Sequence, residues 1–156
     1  MKNTVLFVFC LGLAFIAFTS CEEKTACDLT TDAPLQIGFY SLLNDTLELD
    51  TTATNFTAWG IGSSDTIYQL QSGLAEAEFQ LNPFIDKASY VLTFDSITDT
   101  LQVSYTRELE LVSELCGFIT LFDIQSIQTT RNYIDSVAIV NTKVTTDNVQ
   151  HVKIYF

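Results

Sequence analysis

The side chains able to do chemistry are few and lie far apart along the chain. Glu76 and Glu78, and again Glu108 and Glu110, stand two residues apart, so in an extended chain each pair projects from one strand face. Adjacent carboxylates are the raw material of a glycosidase dyad, but neighbours on a solvated strand face account for the same spacing. Asn44, Asp45, Asp50, Asp95 and Asp99 are oxygen donors that calcium would accept if about six to eight were grouped. Their spacing follows no calcium-loop motif, and turn formation is the plainer reading. The single His, His151, has no companion at metal-ligand spacing and is expected at the surface or edge of a terminal strand. Trp59, Tyr68, Tyr40 and Tyr133 would line a sugar-binding or apolar groove if exposed; burial in a β core is the better-supported reading. No catalytic, nucleotide-binding or metal-binding constellation emerges, so the expectation is a protein that is not an enzyme and needs no cofactor or metal.

The N-terminus carries the most specific signal. Lys2 precedes residues 5–18, a run without charge or strongly polar side chains, and Thr19 and Ser20 lead into Cys21. The run falls short of the roughly 17 to 25 apolar residues that a membrane span requires, and reads as the hydrophobic region of a secretory signal. Phe18-Thr19-Ser20-Cys21 resembles the bacterial lipobox, with Phe18 where Leu is usual; there the cysteine receives diacylglycerol and becomes the new N-terminus. The expected organisation is therefore a lipoprotein signal peptide over 1–20, a lipidated tether over 21–33 and one domain over 34–156. Two or three acyl chains hold a protein to a bilayer far more firmly than one. Glu22-Glu23-Lys24 fits both a solvated linker and the acidic tether that sends some lipoproteins to the outer face of the outer membrane. The expected location is the outer membrane, lipid-anchored, with the periplasmic and surface faces both open.

Cleavage before Cys21 leaves enough chain to bury one core. All nineteen acidic residues fall after the cleavage site against six Lys and Arg, a formal charge of −13. Such a surface repels nucleic acid and anionic head-groups. Cys10 leaves with the signal and Cys21 takes lipid, so Cys27 and Cys116 remain as a pair in an oxidising space, and a disulfide is the natural reading. A nucleophilic thiol would need a base, and only His151 is available.

The elements that must position these residues are strands. Leu35, Ile37 and Phe39 alternate with Gln36, Gly38 and Tyr40, and Ala77, Phe79 and Leu81 with Glu76, Glu78 and Gln80. Tyr90, Leu92 and Phe94, then Leu101, Val103 and Tyr105, repeat the pattern on either side of turn residues 95–99, which predicts a hairpin. Further strands are expected over 57–62, 66–70, 108–112, 117–122, 133–140 and 151–156. With only two prolines, no long helical spacing and no internal repeat, the expected fold is all-β, an antiparallel β-sandwich in a single domain. The closing Phe156 is also how outer-membrane barrels end, yet wet faces carrying Glu, Gln and Ser lack a lipid-facing band.

The lipobox, Cys27 six residues later, the strand from Pro34 to Tyr40, the hairpin from Tyr90 to Tyr105, Glu114-Leu115-Cys116-Gly117-Phe118 and the closing His151-Val152-Lys153-Ile154-Tyr155-Phe156 together resemble small Bacteroidota lipoproteins of an uncharacterised family, a domain of unknown function 6452. The resemblance implies paired roles for Cys27 and Cys116 and brings no catalytic residues. Three function classes follow, in this order: an accessory envelope lipoprotein that contacts a protein partner, a surface module that binds a glycan or peptide, and an enzyme.

Overall fold

The computed structural model describes residues 27, 32–44 and 46–156. The expected signal peptide, the lipobox with its Cys21, the Glu22-Glu23-Lys24 tether and Asp45 lie outside the described residues. Eleven strands and no helix make up the described chain: β1 (Leu35–Leu43), β2 (Leu47–Asp50), β3 (Phe56–Gly60), β4 (Thr66–Gln71), β5 (Glu76–Phe79), β6 (Lys87–Phe94), β7 (Ile97–Ser113), β8 (Gly117–Thr129), β9 (Ser136–Ile139), β10 (Lys143–Val144) and β11 (Val152–Tyr155).

The strands form two sheets. The smaller runs β2-β1-β11-β9, with β5 also paired to β1; the larger runs β10-β8-β7-β6-β3-β4. Pairing is antiparallel throughout except between β1 and β11, which lie parallel with Ile37 opposite Val152 and Phe39 opposite Ile154. One sheet curls into a half-barrel. The alternation read from the sequence sets the faces: Tyr90, Leu92 and Phe94 of β6 and Leu101, Val103 and Tyr105 of β7 are buried, and the residues between them are not.

Residues of both sheets share one core. Phe39 of β1 meets Phe56 of β3 and Phe94 of β6 with ring centroids 5.4 and 6.0 Å apart, and Phe156, just past β11, lies 5.1 Å from Phe94 and 4.9 Å from Tyr133. Each such ring removes about 150 to 250 Å² from water, so this cluster is a leading stabilising term. The buried tyrosine hydroxyls are also satisfied. Tyr90 donates to the Gln80 carbonyl at 2.6 Å, and Tyr105 accepts from the Asn82 N–H at 3.0 Å, which fixes the segment between β5 and β6.

Four expectations require correction. His151 is not a surface or edge residue: it is fully buried, because β11 is an interior strand between β1 and β9. Its N–H donates to the Gln36 carbonyl and its Nδ1 accepts from the Gln36 N–H, both at 3.0 Å, so it locks the start of the parallel pair. Asp99 is not a turn residue. Only Asp95 and Ser96 turn the hairpin, with Asp95 at φ 53°, a conformation Asp tolerates, and Asp99 sits buried within β7. The strand expected over 108–112 is no separate element but the far half of β7, while the stretch 133–140 yields strand only at Ser136–Ile139.

Candidate functional site

β7 and β8 are longer than the sheet that contains them. β6 pairs with β7 only as far as Lys87 opposite Ser104, whereas β7 continues to Ser113 with β8 as its partner. At about 3.3 Å per residue this ribbon extends roughly 30 Å past Ser104. Opposed residues in the ribbon share a face. Leu109 and Leu111, with Phe118 opposite Leu111, occupy one face and are exposed, Leu109 at 71% and Phe118 at 67%. The other face carries Glu108 and Glu110, opposite Leu121 and the buried Ile119. Glu114, Leu115 and Cys116 make the tip, where the Cys116 N–H donates to Ser113 Oγ at 2.9 Å and Gly117 takes φ 73°. Leu115 is exposed as well. Cys116 forms a disulfide with Cys27, 89 residues earlier in the chain, the two Cα atoms 5.0 Å apart. The start of the domain is thereby fastened to the far end of its longest hairpin.

A second surface lies on the outer side of the smaller sheet. The Tyr40 and Tyr155 rings stand 5.9 Å apart, and the Lys153 ammonium sits 4.5 Å above the centroid of Tyr40. Lys153 pairs with Glu48, and Tyr155 donates to the other Glu48 oxygen at 2.8 Å. The bond from Lys153, then that from Tyr155, pulls the Glu48 carboxyl below its ordinary pKa, and Glu48 in turn raises Lys153. Tyr40 donates to Gln150 Oε1 at 2.8 Å, and Gln150 lies where a Cβ on Gly38 would be, so this position tolerates only glycine without moving the amide. The polar groups here are committed to one another, which leaves stacking and hydrogen bonding as the available chemistry.

A third feature is an open groove of about 580 Å³ flanked by Ile61, Phe84 and Ile85, with Tyr90 at its wall. Phe84 is 83% exposed.

A family model described as a family of unknown function (DUF6452) matches residues 55–156. The chain belongs to that family. No curated protein and no solved structure matches it significantly. Within this DUF6452 chain the matched region runs from the start of β3 to the end and includes the whole of the projecting hairpin. β1 and β2 fall before it, although β1 hydrogen-bonds along both edges to β11, β2 and β5.

The remaining residues singled out by sequence find structural places. Among the described residues no three His, Cys, Asp or Glu side chains are grouped to hold a metal. Asp99, one of the calcium candidates, has both oxygens occupied: Oδ1 accepts from Thr130 Oγ1 at 2.7 Å and the Asn132 N–H at 2.8 Å, and Oδ2 from the N–H groups of Tyr133 and Ile134 at 2.8 and 3.0 Å. Burial alone would raise its pKa, but these four donors together hold it below the ordinary value. Asp95 instead accepts from Asn55 Nδ2 at 2.6 Å, while Asn44 turns β1 into β2 and Asp50 ends β2. Tyr68 and Tyr133 are half-buried against the core, and Trp59 is half-buried on β3. Glu78 accepts from Gln36 Nε2 at 2.8 Å, and Glu76 points from the same strand face. Sequence reasoning passed over the leucines of the distal hairpin, taking them as one more strand. The signal was present in Leu109, Leu111 and Phe118, apolar on the exposed face of the ribbon, while Ile119 on its other face is buried.

Proposed function

We propose that this protein is a lipid-anchored domain of the bacterial cell envelope, held to the outer membrane through acyl chains on Cys21, and that it serves as an accessory domain contacting another envelope protein. In this reading residues 1–20 are a cleaved signal peptide, 21–33 a tether and 34–156 one domain whose two sheets are the layers of a sandwich. The ring contacts of Phe39 with Phe56 and Phe94 support that layering. The Bacteroidota origin rests on the resemblance of the lipobox and strand motifs. The observation that carries the proposal is the bridge between Cys27 and Cys116, since a disulfide fits an oxidising compartment and lies six residues from the expected lipid.

The interaction role rests on the hairpin of β1 and β2. The core-facing side of β1 continues past the core, and there Leu43, Leu47 and Leu49 share one face in the open. β2 is an edge strand whose outer side pairs with no described strand. A protein segment adding at that edge would cover those leucines and satisfy the free backbone groups. Two measurements test the reading. Cys21→Ser should abolish incorporation of labelled fatty acid, and continued labelling would refute the anchor. A photo-crosslinking side chain at Leu47 should give a discrete adduct with an envelope protein in intact cells, and labelling no stronger than at the exposed turn residue Ser64 would refute the docking edge.

A second reading, a module that captures a glycan or peptide, is favoured by the half-buried Tyr40 and Tyr155 pair on the outer sheet face with Glu48, Lys153 and Gln150 around it. Glycan-array binding that is lost in Tyr155→Ala would move the function to that face.

A further inference from the structure

The distal hairpin presents an apolar surface with a defined position. Leu111 and Phe118 face each other across β7 and β8, Leu109 follows two residues along on the same face, and Leu115 caps the tip; all four are exposed. Isolated apolar residues at a surface are ordinary, but four contiguous ones at a projecting tip mark a contact. The disulfide states where that tip must be. Cys116 is bonded to Cys27, and six residue steps separate Cys27 from Cys21. Six steps span at most about 22 Å even when fully extended. A lipid on Cys21 therefore confines the tip to the immediate neighbourhood of the bilayer surface, whatever path the intervening chain takes.

The charges select the kind of lipid. Residues 108–122 contain no Lys or Arg, while Glu108, Glu110 and Glu114 lie on or beside the ribbon, and the tether carries Glu22 and Glu23 against the single Lys24. Anionic head-groups would be repelled; zwitterionic ones would not.

We infer that the hairpin tip is a second membrane contact, in which Leu115 and Phe118, with Leu109 and Leu111 beside them, enter the interface of the zwitterionic leaflet that holds the acyl chains of Cys21. This rests on the lipid-anchor reading above. The consequence is an oriented domain: the hairpin stands as a strut on the bilayer, and the rest of the fold is held off the surface. Covalent lipid alone would leave the domain free to swivel, whereas two attachment points joined by a disulfide would not.

The test uses the full lipidated chain in vesicles of phosphatidylcholine brominated at defined acyl positions. The native Trp59 lies on β3, three strand positions from β8, and serves as the internal reference. In a Trp59→Phe background, Phe118→Trp and, separately, Leu115→Trp place an indole at the tip. The tip indoles are expected to shift to the blue and to lose most of their emission to shallow bromines, while Trp59 in the unaltered protein loses none. Flotation of the same samples reports the anchor independently. Flotation without tip quenching in either variant overturns the tip contact and leaves the anchor standing; failure of the Cys21 protein to float overturns the anchor reading and this inference with it. Quenching confined to anionic vesicles overturns the lipid assignment. A blue shift that requires added outer-membrane protein and brings no bromine quenching gives the face to a protein partner instead.

Discussion

Asp99→Asn is the substitution whose cost follows most directly from the structure. The carboxylate accepts from Thr130 Oγ1 and from the N–H groups of Asn132, Tyr133 and Ile134, two donors on each oxygen. These bonds hold the chain between β8 and β9 onto β7, and they bring Tyr133 to its stacked position 4.9 Å from Phe94. An asparagine best keeps its one acceptor oxygen on the N–H groups of Tyr133 and Ile134 and turns its amide toward Thr130 Oγ1, which can accept instead, so the bond from the Asn132 N–H is lost and that N–H is left opposed. Losing a hydrogen bond to a charged group costs about 1.5 to 3 kcal/mol and leaving the buried N–H unsatisfied about 1 to 3 more, which puts the expected loss at roughly 2.5 to 6 kcal/mol. For a domain of this size that corresponds to a fall of roughly 10 to 20 °C in Tm. Urea unfolding at neutral pH, followed by circular dichroism and Trp59 emission, measures it. The pH dependence supplies a second check. Asp99 is held below its unfolded pKa of 3.8, so its contribution is complete above that value and is lost as pH falls toward the folded one. The gap between wild type and variant should therefore narrow only in strong acid. A variant within about 1 kcal/mol of wild type at neutral pH would refute the reasoning, since bonds of this class cost more than that to remove.

Three further outcomes are expected. His151 has its pKa lowered by burial, with a smaller opposing effect from the Lys143 backbone, and its Nδ1 must stay unprotonated to accept from Gln36. Because the unfolded chain takes the proton first, wild-type stability should decline as pH falls below about 6.5, and His151→Asn, which keeps an acceptor without titrating, should flatten that decline; parallel pH curves would show that His151 is not the group responsible. Replacing both Cys27 and Cys116 by Ser opens a loop of 89 residues and should cost up to about 4 to 5 kcal/mol by chain entropy, read as a lower urea midpoint; an unchanged midpoint would mean that the bridge constrains nothing in the unfolded chain. Leu70 is exposed at φ 49°, a conformation costing a leucine about 1 to 2 kcal/mol, so Leu70→Asn should stabilise the domain by a fraction of that in thermal unfolding, and a clear loss would reveal a contact made by the leucine itself.

The period of two was enough to find most strands and the buried face of each, because a half-buried strand must alternate whatever its neighbours are. It could not find pairing partners. Nothing in residues 35–40 or 152–155 announces that they lie side by side and parallel, since that pairing joins the first and last strands of the described residues and depends on everything folded between them. His151 was misplaced for this reason: a terminal strand looks like an edge until the sheet order puts β9 outside it. Asp99 was misplaced because Asp beside a turn is so commonly part of it, and only the three-dimensional path of residues 130–134 supplies four donors to its oxygens. The distal hairpin was legible as two strands, but not as exposed, because Leu109 and Leu111 have the same spacing that buries Leu101 and Val103 one half-strand earlier.

That contrast within β7 bears on how the hairpin survives. From Tyr105 inward the strand has β8 on one side, β6 or the segment leading into it on the other and a core beneath; from Thr106 outward β8 is its one strand partner among the described residues. A two-stranded ribbon in water is marginal by itself, since each residue ordered costs backbone entropy that exposed side chains do not return. Three things offset that cost here. β10 pairs with β8 at Asp123 and Phe122, and Lys143 of β10 salt-bridges Asp123 at 3.0 Å. Arg107 reaches back to Asp86 Oδ1 at 2.6 Å and to the Pro83 carbonyl at 2.9 Å, bracing the root of the ribbon. The disulfide then holds the outer end. A hairpin needing only to complete the sheet would end near Ser104, and its extra length, its bare leucines and its covalent tie to the N-terminal side are features the core does not require. They are accounted for together if the ribbon's outer end meets a surface other than water.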